Sequence, residues 1–264
     1  MTAQARGMIG IPLADHRSPR DAFERLIAPS SPVRILLLHG PMQGAGKTRL
    51  LDHCFAKLAA GVDYVRIDLK DPPHPADELL QVAWLKMGDS LARLAQARRD
   101  QASPLVQVMN NRMIGMNTIS VEYSPDAETD RARLVEAFFE DALAFKRPFL
   151  IAIDSHDYGS KAAKDWIKGL LLPRAALLNA IRVVIAGRTV PDLSGKWSAC
   201  CGPVQILSPV TDPSDWKLLI NEMGRRVDSA DPDGALAAVC SCVSNAEQLM
   251  NWIELKLPHA MQLT

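Results

Sequence analysis

The sequence carries no surplus of either charge: 30 Lys+Arg stand against 30 Asp+Glu, for a formal net charge of zero. Proteins that coat nucleic acid usually carry a basic excess, because neutralised phosphates supply most of their affinity. The balance therefore weighs against that class and leaves only a local patch open. It also gives little colloidal repulsion, so a homo-oligomer or a protein partner is expected sooner than nucleic acid. No stretch approaches the ~20 apolar residues of a membrane helix. The first residues, MTAQARGMIGIPLADHR, hold no apolar run of the kind a signal peptide needs, so neither a leader nor a membrane partner is expected. The cysteines Cys54, Cys200, Cys201, Cys240 and Cys242 have no zinc-site spacing, and their odd count fits a reducing cytoplasm better than a disulfide framework. Repeats and low-complexity segments are absent.

What remains is an ordinary globular composition, 48% hydrophobic and 23% charged. A length of 264 residues suits one large α/β domain, or a core with a small helical appendix. Continuous apolar runs of strand length mark strands buried on both faces, as in parallel sheets. Val33–Leu38 is such a run; Tyr64–Leu69 reads as a second strand, Pro148–Ile153 as a third buried one and Arg182–Ala186 as a fourth, with a fifth expected at Val204–Leu207 and an edge strand at Thr118–Tyr123. Helical patterns lie between them: Arg17–Ile27, Lys47–Ala60, Ala76–Arg99, a helix opened by Ser124-Pro125 and running to Phe145, and Lys161–Asn179, interrupted near Pro173. Strands alternating with helices imply a mostly parallel sheet with right-handed crossovers.

After Pro209 only helices are expected. Asp212-Pro213 and Asp231-Pro232 open two, and the capping box Ser244-Asn-Ala-Glu247 opens a third that ends before Pro258. The division expected is a lead-in (1–30), an α/β core (31–208) and a helical lid (209–264). The five tryptophans are expected as core or interface anchors.

The most informative segment is His39-Gly-Pro-Met-Gln-Gly-Ala-Gly-Lys-Thr48, which follows a buried strand and opens a helix. Glycines let the backbone turn its N–H groups towards phosphates, and the helix N-terminus adds free donors and a favourable dipole. Lys47 would reach the outer phosphates and the Thr48 hydroxyl would hold Mg²⁺. The loop's candidate nucleotide contacts are Gly40, Gly44, Ala45, Gly46, Lys47, Thr48 and Arg49. The strict pattern asks for glycine where Pro41 stands, so the loop is one residue longer or begins on proline. Two other readings stay open: a glycine-rich turn that happens to end in Gly-Lys-Thr, and a phosphate loop that has lost its nucleotide.

Such a loop needs a second acid at a strand end to hold the metal's water shell. Asp154, after Phe149-Leu-Ile-Ala-Ile153, supplies it, which makes Thr48 and Asp154 the metal candidates. Asp157, or His156, is placed to activate water, or else both are plain loop residues; hydrolysis is therefore left open while binding is expected. The next strand ends at Gly187-Arg188, and Arg188 would face the terminal phosphate, unless it is an exposed strand-end arginine.

These pieces resemble the STAND class of signalling ATPases, related to the AAA+ ATPases, over roughly residues 17–225. The carriers are LLLHGPMQGAGKTRLL (36–51), RPFLIAIDSHD (147–157), RVVIAGRTVPDL (182–193) and ILSPVTDPSDWKLLINEMG (206–224). The resemblance implies a P-loop NTPase core with a C-terminal helical lid, ATP/ADP and Mg²⁺ as cofactors, Asp154 as the Walker B acid and Arg188 as the first sensor. It implies a switch whose nucleotide sets a closed or open arrangement, in bacteria often within immune or antiviral defence systems. Two departures are visible: the loop spacing, and the missing Gly-x-Pro of the lid around Asn245, so a degenerate or inactive member is a further expectation.

With core and lid taking most of the length, effector and sensor are expected on separate polypeptides. The rivals are an AAA+-like loader acting on DNA, for which Arg98-Arg99, Arg131/Arg133 and Arg225-Arg226 offer basic clusters, a nucleotide-free scaffold with a relic loop, and, more weakly, a small-molecule kinase.

Overall fold

Three of the expected apolar runs form the centre of one sheet. The computed structural model describes residues 13, 15–59, 62–70, 74–101, 127–242 and 246–258. Its strands are β1 (Ile35–His39), β2 (Asp63–Asp68), β3 (Phe149–Asp154), β4 (Ile181–Gly187) and β5 (Gln205–Ile206). They pair in the order β2-β3-β4-β1-β5, every pair parallel. All residues of β3 and β4 are buried, as a sheet covered on both faces requires. The expected strand at Thr118–Tyr123 and the Ser124-Pro125 cap lie outside the described residues.

Alternation along each strand splits the core into two layers. Ile35, Leu37, Val65, Ile67, Phe149, Ile151, Val183 and Ile185 face one side. There they pack under α3 (Pro75–Met87), α4 (92–101), α5 (Ala127–Ala142) and the segment formed by α6 (Lys161–Trp166) and α7 (Leu172–Leu177). Leu36, Leu38, Leu150, Ala152, Val184 and Ala186 face the other side, against α1 (Arg17–Ile27) and α2 (Lys47–Ala56). Arg182 falls in this second row. Its Nε donates to the Leu26 carbonyl at 2.7 Å and its other nitrogens reach the carbonyls of Asn179, Ala28 and Pro29, so a buried cation closes the C-terminal end of α1.

The helices differ from expectation where the chain must turn. The helix expected over 76–99 is broken at Gly88, whose φ of +28° ends α3. The chain then re-enters α4, and the Asp141 carboxylate of α5 accepts the amides of Arg93 (3.0 Å) and Leu94 (2.9 Å) at its start. α2 stops at Ala56 rather than Ala60. The stretch 161–177 is interrupted by a π-helical turn at Ile167–Leu171, and Pro173 sits in the first turn of α7, where its missing N–H costs nothing.

Beyond the sheet come α8 (Pro213–Glu222), α9 (Pro232–Cys242) and α10 (Ala246–Lys256). Asp212 caps α8 by accepting the Ser214 amide at 2.8 Å. Ser244 and Asn245 of the expected capping box lie outside the described residues. The three helices share a hydrophobic cluster of their own around Trp216, Leu219, Leu236, Leu249 and Ile253. Among the described residues no helix is long and apolar enough to cross a membrane.

Candidate functional site

Because every strand pair is parallel, the C-terminal ends of β1 to β4 lie along one edge of the sheet, the usual place for a ligand in such folds. β4 lies between β1 and β3. The turn after β1, the acid ending β3 and the arginine after β4 therefore meet although far apart in sequence.

Gly44 (φ +75°) and Gly46 (φ +79°) hold left-handed conformations in the loop between β1 and α2, where a side chain would cost about 1–2 kcal/mol. The ammonium of Lys47 donates to the carbonyls of Gly40 (2.8 Å) and Met42 (3.2 Å). A β-carbon on Gly40 would lie 3.0 Å from three atoms of the Lys47 side chain. The glycine that Lys47 packs against is thus Gly40, one place earlier than the strict pattern has it, and the extra residue is taken up between Gly40 and Gly44.

Thr48, in the first turn of α2, donates its hydroxyl to Asp154 Oδ2 at 3.2 Å. Asp154, only 2% exposed, accepts the Ser155 amide on Oδ1 at 2.8 Å. Ser155 has φ +57°, a strained conformation for a residue with a side chain, at the point where the chain leaves β3. The turn that follows places Asp157 beneath Arg188, whose amide donates to Oδ1 (2.7 Å) and Nε to Oδ2 (2.8 Å). Gly187 makes this approach possible, because a β-carbon there would lie 2.5 Å from the Thr189 carbonyl and 3.0 Å from His156 Cβ. His156 is buried with Nδ1 on the Thr189 carbonyl at 2.9 Å, and its burial holds its pKa below the usual histidine value.

A cavity of about 410 Å³ gathers Gly44, Ala45, Gly46, Lys47, Thr48 and Arg49 with Asp154, Asp157 and Arg188. Gly40 meets the site through Lys47 rather than as cavity wall. The size lies within the common range for small-ligand sites. Burial holds the Lys47 ammonium below the ordinary lysine pKa; Asp157 and Asp154 work against this shift, and the positive charges of Arg188 and Lys70 add to it. Burial pushes the Asp157 carboxyl up, but the hydrogen bonds from Arg188 outweigh it and the net shift is downward.

Several walls of the cavity had no sequence signal of their own. Lys70 follows β2, and Asp52 lies one helical turn beyond Thr48 in α2. Arg66 of β2 donates to Asp154 Oδ2 at 2.8 Å and to Asp52 Oδ1. His16, at φ +59°, is buried beside the loop, 3.1 Å from where a β-carbon on Gly46 would stand, and hydrogen-bonds the Ala45 backbone. From the C-terminal helices come Trp216, Met250 and Glu254, with Val210 before them. Trp216 is therefore both a core anchor and a cavity wall. Glu254 stands 3.8 Å from Arg49, across the gap between α10 and α2.

These residues fit a magnesium nucleoside triphosphate. Both hydrogen-bond partners of the Lys47 ammonium are neutral carbonyls, so its charge is available to an anion. The hydroxyl and carboxylate suited to a hard cation touch each other at the mouth of α2.

No protein-family model matches the sequence, and no curated protein matches it. Solved structures do resemble the fold. The ORC1 protein of Aeropyrum pernix in complex with DNA aligns at 13% identity and a TM-score of 0.53, covering 97% of this chain and 65% of that one. The Drosophila ORC bound to DNA aligns at 13% identity and 0.52, covering 93% and 58%. AMPPCP-bound DnaA from Aquifex aeolicus aligns at 13% and 0.47, covering 91% and 59%. The chain thus spans about three-fifths of the length of these structures. Sheet order, flanking helices and the two likenesses at TM-scores of 0.53 and 0.52 identify the fold as an α/β P-loop NTPase core.

Proposed function

We propose that the chain binds ATP and ADP with Mg²⁺ in this cavity and acts as a nucleotide-dependent switch on separate partner proteins. The observation that carries the reading is the double origin of the cavity wall: Lys47, Asp154 and Arg188 stand at the strand ends of the sheet and the start of α2, Trp216, Met250 and Glu254 on the helices after it. A ligand spanning both walls would favour their closed arrangement, and its loss would release them. In this reading residues 31–208 are the core and 209–264 the lid, joined to a lead-in at 1–30.

The roles follow from placement. Lys47 meets the outer phosphates, and Gly44, Ala45 and Gly46 offer the backbone that surrounds them. Thr48 and Asp154 are the residues that would hold a Mg²⁺ brought in with the phosphates. Arg188, aimed by Asp157, reads the terminal phosphate. Arg49, paired with Glu254, links the loop helix to the lid. Asp157 must release Arg188 before it can polarise water, so binding rather than fast hydrolysis is the main activity. The STAND resemblance adds that closing and opening control partner assembly, with bacterial defence as one setting.

A second reading, an ATPase loader acting on DNA, is favoured by two of the solved structures that share the fold, both of which are DNA complexes. The zero net charge favours the protein partner.

Thermal melting with saturating Mg-ATP and Mg-ADP tests the first step. Ligand at a hundred times its Kd stabilises by ~2.7 kcal/mol, roughly 5–10 °C in Tm at this size. Lys47→Ala abolishes that shift, and a wild-type chain that shifts with neither nucleotide overturns the reading. Salt-sensitive retention on DNA at low ionic strength moves the conclusion to the loader.

A further inference from the structure

Asp154 already has a cation. Arg66 lies on β2, in register with Ala152 of β3, two residues before the Asp68–Asp154 pair. Its guanidinium reaches sideways to donate to Asp154 Oδ2 at 2.8 Å, the same oxygen that accepts the Thr48 hydroxyl. The other carboxylate oxygen accepts the Ser155 amide. Of the roughly four acceptor positions of a carboxylate, three are filled from within the protein.

The arginine is also fixed from behind. A second nitrogen donates to Asp52 Oδ1, and the guanidinium carbon lies 5.8 Å from the centre of the Phe55 ring. Phe55 is in turn stacked on Tyr64 of the same strand, with ring centres 5.0 Å apart. Two carboxylates and a ring thus hold a group that keeps its charge at every physiological pH. Its side chain is 27% exposed and that of Asp154 3%, so the pair is poorly screened.

We infer that Arg66 is the resident counter-cation of Asp154, and that it makes nucleotide binding at this site largely independent of Mg²⁺. The inference rests on the nucleotide reading above. A divalent ion placed between Thr48 and Asp154 would lie against a positive charge that cannot dissociate, and would find half of the acid's charge already answered. The phosphates keep other cations in its absence, because Lys47, Lys70 and Arg188 line the same cavity. Arg66 is a positioning residue in this scheme: it acts through Asp154.

The test is the Kd of a fluorescent ATP analogue, measured with Mg²⁺ and with EDTA, on the full chain. The wild type should show a ratio of Kd values within about threefold. Arg66→Met should raise that ratio by about tenfold or more, the scale on which partners of metal ligands act. Arg66→Lys, which keeps the charge, should return the ratio towards the wild-type value. Asp52→Asn, which leaves Asp154 and Arg66 in place but frees the guanidinium to move, should raise it by a smaller factor, and serves if Arg66→Met does not fold. A wild-type ratio above about tenfold overturns the inference, as does an unchanged ratio in Arg66→Met. Binding by every variant with one common metal dependence removes this inference alone; no binding under any condition removes the nucleotide reading with it.

Discussion

Arg188 grips Asp157 with two of its own nitrogens, the amide on Oδ1 at 2.7 Å and Nε on Oδ2 at 2.8 Å. These bonds set the net charge behaviour of the acid, holding Asp157 below the usual carboxylate range although burial alone would push it up. A carboxyl depressed in the folded state stabilises that state above its unfolded pKa and loses the contribution as pH falls through its folded value. The wild type should therefore lose more stability than Asp157→Asn on acidification below about pH 4. Urea titrations from pH 6 to pH 3 on both proteins check this; parallel curves would show that the pair contributes nothing in solution.

The same grip predicts how the terminal phosphate is read. If Asp157 aims Arg188, then Asp157→Asn and Arg188→Ala should each reduce the preference for ATP over ADP, and the double variant should be no worse than either single one. Residues acting as a unit are non-additive in this way. Competition titrations with both nucleotides measure it, and additive losses would mean that the two side chains act separately.

Much of this was legible in the sequence because it is local. Phe149–Ile153 of β3 and Val183–Ala186 of β4 are apolar runs, and the loop at Gly44–Lys47 declares itself by composition. Asp154 and Arg188 could be singled out because each ends such a run. Arg66 could not, since it reads as one polar residue in an alternating strand; only the β2–β3 register brings it beside Asp154. His16 was hidden in the same way, in a stretch without periodicity that reaches the loop only because α1 docks on the sheet. The sequence predicts one helix over 76–99, but Gly88, at φ +28°, breaks it into two.

Arg182 should be the most costly surface-remote polar residue to lose. It is 1% exposed and its partners are backbone carbonyls, three of them at the end of α1 and the turn beyond. Burial holds its pKa below the ordinary arginine value, with Arg34 adding to that shift. Arg182→Met removes the buried charge but strands the carbonyls, a cost of about 1–3 kcal/mol. At this size that is roughly 2–4 °C in Tm per kcal/mol. Because α1 carries His16 to the loop, nucleotide affinity should fall as well. A variant with wild-type Tm would show that the end of α1 finds water instead.

The last prediction concerns Lys47, whose pKa lies below the ordinary lysine value because its ammonium is partly withdrawn from water. A folded-state pKa below the unfolded one means that the charged form opposes folding. Stability from this group therefore rises as pH increases through the folded value towards about 10.4, the opposite sense to the Asp157 effect. Bound triphosphate reverses the sign, since it answers the charge that burial leaves exposed. Lys47→Met should accordingly flatten the alkaline rise in Tm of the nucleotide-free chain, measured from pH 7 to pH 10. Removing the charged contacts should weaken ATP binding about ten- to a hundredfold at pH 7. Affinity of the wild type should decline on the alkaline side, where the ammonium loses its proton. If wild type and variant melt alike across this range while ATP affinity still collapses in the variant, the lysine serves binding without being strained in the empty loop.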